Sequence, residues 1–443
     1  MTMKEDDTTD GRNRFSRRGF LAVSSVATVG VAGCLGGEDD DSDDTGEENE
    51  DGTAPDVVEE DDVPGPDPPV VDDPPAAVYK PTHRESMGLL DTVQVGDYLL
   101  LPHFTFPHRF WLMRGDDDEP TVADPEDPGL HFMFAFWDAE TGNMLPVDIT
   151  ESMTVRQDGN IVDRRDMWPM IAQSMGFHFG DNISLPEEGT YEIEVQLNPI
   201  RARKTGAFEG RFEEPVSTEF TFEFDREAQQ LATEGVEFLP EEEWGERGAL
   251  ELMDHSGHDH GDHDNGHNDH GDDSHDHGEH DDEHGHDDHN GHDDHEDHDG
   301  DHDHGEMGHG EMVLPPADEY PGVDLGVHSS GDADFVVRYI EDSRLAEDGD
   351  NYLFISPRTP YNRIPLPDMS LSIEGEIMEA MEDEKRPQQT LDDELGHHYG
   401  MTISLEPGDS FEIVVETPPQ VSRHQGYETA FLDMPTMTVE FEQ

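Results

Sequence analysis

The run HFGDNISLPEEGTYEIEVQLNPIRARKTG, His178–Gly206, returns without a gap as HYGMTISLEPGDSFEIVVETPPQVSRHQG, His398–Gly426, at a constant offset of 220 residues. His178/His398, Gly180/Gly400, Ile193/Ile413, Val195/Val415 and Arg203/Arg423 are identical pairs. A chain carrying such a repeat folds as two related units, and the repeat itself states their kind. Tyr191, Ile193, Val195 and Leu197 alternate with Glu192, Glu194 and Gln196, the period-two pattern of a strand with one buried face. Phe220, Phe222 and Phe224 alternate likewise, as do Met437, Val439 and Phe441, and turn clusters such as Pro186–Gly189 and Glu406–Asp409 separate the runs. The pattern predicts an all-β chain of two tandem antiparallel sandwiches. A further pair, YLLLPHFTFPHRFWL from Tyr98 and YLFISPRTPYNRIPL from Tyr352, aligns at a different offset, which implies an insertion in the first unit.

Between and before these units the chain cannot build a core. With 109 acidic against 25 basic residues the formal charge is −84, which excludes nucleic acid as a partner and disfavours electrostatic binding to anionic lipid. Lysine is confined to Lys4, Lys80, Lys204 and Lys385, and so acidic a chain fits a hypersaline, haloarchaeal setting where salt shortens the screening length. The segments read as 1–33, a signal peptide; 34–76, an acidic tether; 77–225, a first sandwich; 226–312, a linker; and 313–443, a second sandwich. In the signal, Ser16-Arg17-Arg18-Gly19-Phe20-Leu21 resembles a twin-arginine export motif, and the apolar run after it is too short to span a bilayer. Val31-Ala32-Gly33-Cys34 resembles a lipobox, so the lone cysteine, Cys34, is expected to carry a lipid anchor on the outer face of the membrane.

Eighteen of the 27 histidines fall between His255 and His309, interleaved with Asp, Glu and Gly. His270, His275, His277, His280, His284 and His286 lie in its densest part, HGDDSHDHGEHDDEHGH. The acidic tether from Gly36 to Pro75 has no histidine, so solubility alone does not account for the tract. Imidazole with carboxylate is a ligand set for Zn(II), Cu(II), Ni(II) or Co(II), with copper tightest. Loosely held ions at many such sites buffer metal beside the folded units.

MWPMIAQSMGFHFGDNISLPEEGTYEIEV, Met167–Val195, resembles the signature of the periplasmic ferrous-iron transport accessory proteins: a Met-Pro-Met-like segment, a His-aromatic-Gly turn, a strand, and a Gly-Arg-His element downstream. The resemblance implies an immunoglobulin-like sandwich that binds copper, and handles iron, through methionine and histidine. The first copy keeps Met170 and His178 but has Lys204 where the downstream histidine would stand. The second keeps His398 and Arg423-His424 but has Leu391 in the place of the methionine. From the residues alone, Met170 and His178, with Met167, Met175, His103 or His108, form a soft donor set in the first unit. In the second, His398 and His424 stand at the ends of a hairpin-sized segment with His397 or Met369 nearby.

These features predict an extracytoplasmic, lipid-anchored protein that captures copper or iron, with zinc as an alternative, and delivers it to a membrane permease. Metal ions, that permease and a second copy of the chain are the partners the reading allows. A zinc-handling or metal-buffering surface protein and an immunoglobulin-like structural protein are the alternatives. Nothing in the chain arranges a nucleophile, a phosphate loop or a carboxylate pair, so no enzymatic activity is expected.

Overall fold

The structure, a computed structural model, describes residues 67–113, 120–125, 129–253, 312–346, 350–379 and 386–442. Arg17, Arg18, Cys34 and the histidines from His255 to His309, including His270, His275, His277, His280, His284 and His286, lie outside them.

The described chain is almost wholly β, as the alternation requires. In the N-terminal half a nine-stranded sheet runs in the order Gly88–Leu89, Tyr98–Thr105, Gly129–Asp138, Gly176–Ser184, Trp168–Ala172, Ser422–Arg423, Phe110–Leu112 and Thr121–Ala123, with Val93–Val95 paired beside Tyr98–Thr105. Facing it is a four-stranded sheet of Val216–Phe224, Gly189–Leu197, Thr150–Gln157 and Asn160–Arg165. Aromatic side chains from the two inner faces meet edge to face, Phe104 with Phe222 at 5.1 Å and Phe132 with Phe222 at 5.6 Å. In the C-terminal half a six-stranded sheet and the three-stranded sheet Ser370–Glu374, Ser410–Thr417, Met437–Glu440 repeat the arrangement, with Tyr339 on Phe441 at 5.3 Å.

Gly129–Asp138 departs from simple alternation, because all ten of its residues are buried. Leu130, Phe132, Phe134 and Phe136 enter the sandwich core, while Met133, Ala135 and Trp137 join a second apolar cluster on the outer face. That outer face is roofed over, and the candidate site lies under the roof.

Strand pairing revises the internal alignment. Gly129–Asp138 pairs with Gly176–Ser184 through Phe134↔Phe179, and Tyr352–Arg358 pairs with Gly396–Thr402 through Ile355↔Tyr399. The counterpart of the Tyr352 strand is therefore Gly129–Asp138, and Tyr98–Thr105 corresponds by its pairing to Ala333–Ile340. The match of Tyr98 to Tyr352 failed because neighbouring buried strands share the same apolar composition, and composition does not say which partner a strand takes.

The sheets are also not purely antiparallel. Ser422–Arg423 from the C-terminal half lies parallel to Trp168–Ala172, through Met170↔Ser422 and Ile171↔Arg423. Arg203–Thr205 from the N-terminal half lies parallel to Gln388–Asp392, through Arg203↔Thr390 and Lys204↔Leu391. Each half lends a short strand to the other, a self-complementary exchange of the kind seen at two-fold interfaces. The lead-in segment ties the halves again: Tyr79 N donates to Gly426 O at 3.1 Å and Thr82 N to Gln425 Oε1 at 2.9 Å. Beyond the first sandwich the charged stretch opens with a helix, Arg226–Glu234, whose Asp225 side chain accepts from Glu227 N and Ala228 N.

Ile193 is wholly buried and Ile161 is 61% exposed on the neighbouring sheet surface. Ile193→Ala is expected to cost about 2–5 kcal/mol and Ile161→Ala less than about 0.5 kcal/mol, read from denaturant unfolding in molar salt.

Candidate metal centre

Period-two geometry puts Met170, His178, Gly180 and Asn182 on the outer face of the N-terminal sheet, with His131 and Met133 beside them on Gly129–Asp138. Met170 pairs directly with His178, and Met133 with Gly180. A Cβ built on Gly180 would lie 2.8 Å from His131 Nε2, 3.1 Å from Met170 Sδ and 3.2 Å from Met133 Cγ. Glycine is needed here because imidazole and thioether crowd over its backbone.

The roof comes from three other segments. His108 follows the Tyr98–Thr105 strand, its ring centroid 4.3 Å from that of His131. His424 follows the borrowed strand Ser422–Arg423, and its backbone N donates to Ile171 O at 3.1 Å. Glu85 ends His83–Glu85, with Oε1 3.3 Å from His424 Nδ1, 3.6 Å from His108 Nε2 and 3.9 Å from His83 Nε2. Donor atoms of His108, His131 and His424 all lie within 4.8 Å of one another, and His178 Nε2 is 3.2 Å from His424 Nε2.

Hydrogen-bond partners assign the tautomers. His178 Nδ1 donates to Gly176 O at 3.1 Å and His108 Nδ1 to Arg109 O at 3.0 Å, because a carbonyl can only accept. His424 Nδ1 donates to the Glu85 carboxylate. Asn182 Oδ1 accepts from His108 N while its Nδ2 donates to His108 O at 2.9 Å, so Oδ1 also accepts from His131 Nδ1 at 3.1 Å. Each ring thus commits its Nδ1 to an oxygen, the Nε2 atoms of His108 and His131 are left without a hydrogen-bond partner, and those of His178 and His424 face each other at 3.2 Å. Burial keeps three of the rings neutral: His108 is held down to about 4 against the pull of Glu85, and His131 and His178 lie well below the usual imidazole range. Burial would push the Glu85 carboxyl up, but the imidazoles of His108, His424 and His83 bring it well below the ordinary carboxylate range. A cluster of convergent lone pairs with a thioether and a carboxylate is a ligand set for a transition metal.

Of the residues singled out from the sequence, Met170, His178, His108 and His424 come together. His103 is wholly buried on the same outer face, in register with Met133, and its field reaches His178. Met167 packs in the sandwich core and Met175 in the outer apolar cluster. The pairing of His398 with His424 is overturned: the parallel strand carries His424 out of its own half and onto His178. Met369 is core, with its backbone N donating to Tyr399 Oη at 2.8 Å, and His397 points inward beside Tyr399, opposite to His398.

His398 repeats the local geometry of His178, with Nδ1 donating to Gly396 O at 3.0 Å, yet its Nε2 accepts from Tyr352 Oη at 3.3 Å. Tyr352 stands where His131 stands in the other half, as the contact of each with its facing glycine shows. Thr390, not Leu391, is the register partner of His398 and so occupies the place of Met170. Lys204 Nζ is turned to Ile200 O at 3.0 Å. The second copy thus has a tyrosine hydroxyl, a threonine and a turned-away lysine where the first has His131, Met170 and His424.

Sequence reasoning missed His131, Glu85, His83 and Asn182. His131 carried one signal, a single ionisable residue inside the buried run Leu130–Trp137. Glu85 carried none, being one acid among 109.

Residues 138–226 match the family model described as Fe2+ transport protein, and residues 318–440 match a domain of unknown function, DUF7350. The first match spans Met167–Val195, the segment that carries the resemblance to the ferrous-iron transport accessory proteins. Similar solved structures include a copper-bound single-substitution variant of FetP from uropathogenic Escherichia coli strain F11, at 18% identity over 31% of this chain and 97% of that one, with a TM-score of 0.25. The as-isolated FetP of the same strain is similar at 19% identity, over 31% and 96%, with a TM-score of 0.25. A copper-bound single-substitution variant of Campylobacter jejuni P19 is similar at 13% identity, over 32% and 97%, with a TM-score of 0.24. No curated protein matches the chain.

Burial holds His398 down to about 4 and His397 down to about 3. The unfolded chain takes up these protons near 6.5, the folded chain only at those lower values. Stability is therefore full above about pH 6.5 and falls as pH drops towards 3, by ~3–5 kcal/mol per group at the limit. Phe177 occupies the position of His397 in the first copy, so His397→Phe is expected to keep the fold and flatten the acid limb of unfolding free energy against pH.

Proposed function

We propose that the chain is an extracytoplasmic binder of one transition metal ion, copper or ferrous iron, exported through the Arg17-Arg18 signal, anchored at Cys34, and serving a membrane metal permease. One observation carries the metal reading: the buried imidazoles of His108, His131 and His424 bring donor atoms within 4.8 Å of one another, with His178 Nε2 3.2 Å from His424 Nε2 and Met170 Sδ beside His131 over Gly180. The thioether suits Cu(I), while imidazole with the Glu85 carboxylate suits Cu(II) or Fe(II). The match of residues 138–226 to the Fe2+ transport family supports an ion of this group as the cargo. Zinc is the alternative that the imidazoles and carboxylate also accept. The ion is cargo, and the histidine-rich tract serves as a buffer of weaker sites.

The reading calls for a single strong site in each chain, with the His398 copy silent. In molar salt, with a competing chelator that strips weak sites, the protein is expected to retain one equivalent of copper or iron. His178→Ala or His424→Ala should lower its affinity on the order of 100-fold or more, and His398→Ala should leave it unchanged. Retention that survives both of the first two variants, or that His398→Ala abolishes, sinks the assignment.

A further inference from the structure

The donor atoms gathered around His424 are more than one ion takes. Met170, His131, His178 and His424 supply four, and Glu85, His83 and His108 stand beside them with three more. Zinc and copper in donor sets of this kind are commonly four-coordinate. The three additional residues come from the strand His83–Glu85 and from the segment after Tyr98–Thr105, outside both the repeat and residues 138–226.

The contacts of His83 and His108 with Glu85 are not hydrogen bonds. His108 Nδ1 is committed to Arg109 O, so the Nε2 that lies 3.6 Å from Glu85 Oε1 carries a lone pair, and it has no hydrogen-bond partner among the described residues. His83 Nδ1 lies 3.0 Å from Thr82 Oγ1, whose own proton goes to Pro69 O at 2.7 Å. His83 Nδ1 therefore donates, and its Nε2, 3.9 Å from Glu85 Oε1, is a second lone pair. A carboxylate oxygen only accepts, and Glu85 Oε2 is buried without a hydrogen-bond partner among the described residues. Two imidazole lone pairs thus face a buried carboxylate, which is costly unless a cation lies between them. Ligands ~2.0–2.1 Å from a tetrahedral ion lie ~3.4 Å from one another, so separations of 3.6 and 3.9 Å close onto an ion with small side-chain movements. A cavity of about 20 Å³, lined by His83, Glu85 and His424 among others, has room for one water as the remaining ligand.

We propose that Glu85, His83 and His108 form a second position that takes a divalent ion, Zn(II) or Fe(II), beside the ion held by Met170, His131, His178 and His424. This position is additional to the metal centre proposed above and rests on that reading for its neighbour. The first set of donors is neutral and includes a thioether, which favours copper. The second has a carboxylate and no sulfur, which favours a harder ion. His424 joins the two, since its Nε2 faces His178 while its Nδ1 donates to Glu85. The negative charge of Glu85 offsets the repulsion between the ions. With three protein donors and a water, the second position is the weaker, and a strong chelator empties it first.

The test separates the two ions. The full chain, loaded with one equivalent of copper in molar salt, is titrated with Zn(II) against a chelator of moderate strength, beside its His83→Ala and His178→Ala variants. Zinc caught elsewhere on the chain is common to all three proteins and cancels in the comparison. His83→Ala is expected to lower zinc affinity at least about 10-fold more than it lowers copper affinity, and His178→Ala to do the reverse. Crystals of the unsubstituted, copper-loaded chain soaked in Zn(II) provide a measurement that needs no variant: anomalous scattering at the two absorption edges should place zinc beside Glu85 and copper beside Met170. Losses of the two metals that run in parallel in both variants, one mixed peak, or zinc found only away from Glu85 overturn the second position and leave the first standing. No copper held by the unsubstituted chain overturns both.

Discussion

The parallel pairing of Ser422–Arg423 with Trp168–Ala172 is the contact on which the site depends. It covers an edge that would otherwise expose main-chain donors and acceptors, and Arg203–Thr205 covers the corresponding edge of the other half. The exchange also sets where side chains fall. Arg423 is buried, with its guanidinium directed to the carbonyls of Ala430 and Tyr427 and lying over Phe431 at 5.5 Å, so the turn that follows is held firmly. His424 then has no freedom to return to its own sheet. It meets His178, 246 residues earlier, and the two incomplete copies of the motif become one complete set of donors.

Hydrogen-bond accounting separates the two central histidines. In both, a glycine carbonyl takes the Nδ1 proton of the central histidine. In the C-terminal half the freed lone pair is met at once by the Tyr352 hydroxyl, and Phe354 packs on the ring in a tilted contact at 4.7 Å. In the N-terminal half the neighbour is His131, whose Nδ1 is held by Asn182, and the Nε2 atoms of His131 and His108 are left without a hydrogen-bond partner. Unmet lone pairs in a buried cluster are costly unless a cation takes them up. The two repeats thus carry the same central histidine in opposite hydrogen-bonding surroundings.

Much of this architecture could be read along the chain. Alternation in Tyr191–Leu197 and in Phe220–Phe224 identified strands because a strand's two faces are written into its local pattern, and the repeat announced two related halves. Met170, His178, His108 and His424 were all recognisable as ligand-type residues. The errors came where identity depends on neighbours. Tyr98 was matched to Tyr352 because buried strands look alike until their partners are known, and Leu391 was taken for the methionine's counterpart because register was not visible. His131 was overlooked inside an apolar run, and Glu85 among so many other acids.

By itself the sequence determined the all-β class, the repeated halves and the kinds of donor atom available, since each depends on periodicity or composition within short windows. Only the tertiary structure decided which donors share a site. That outcome rests on a parallel strand exchange between residues far apart in the chain and on which ring nitrogen keeps its proton. Both are properties of spatial neighbours, and no local pattern in the chain encodes them.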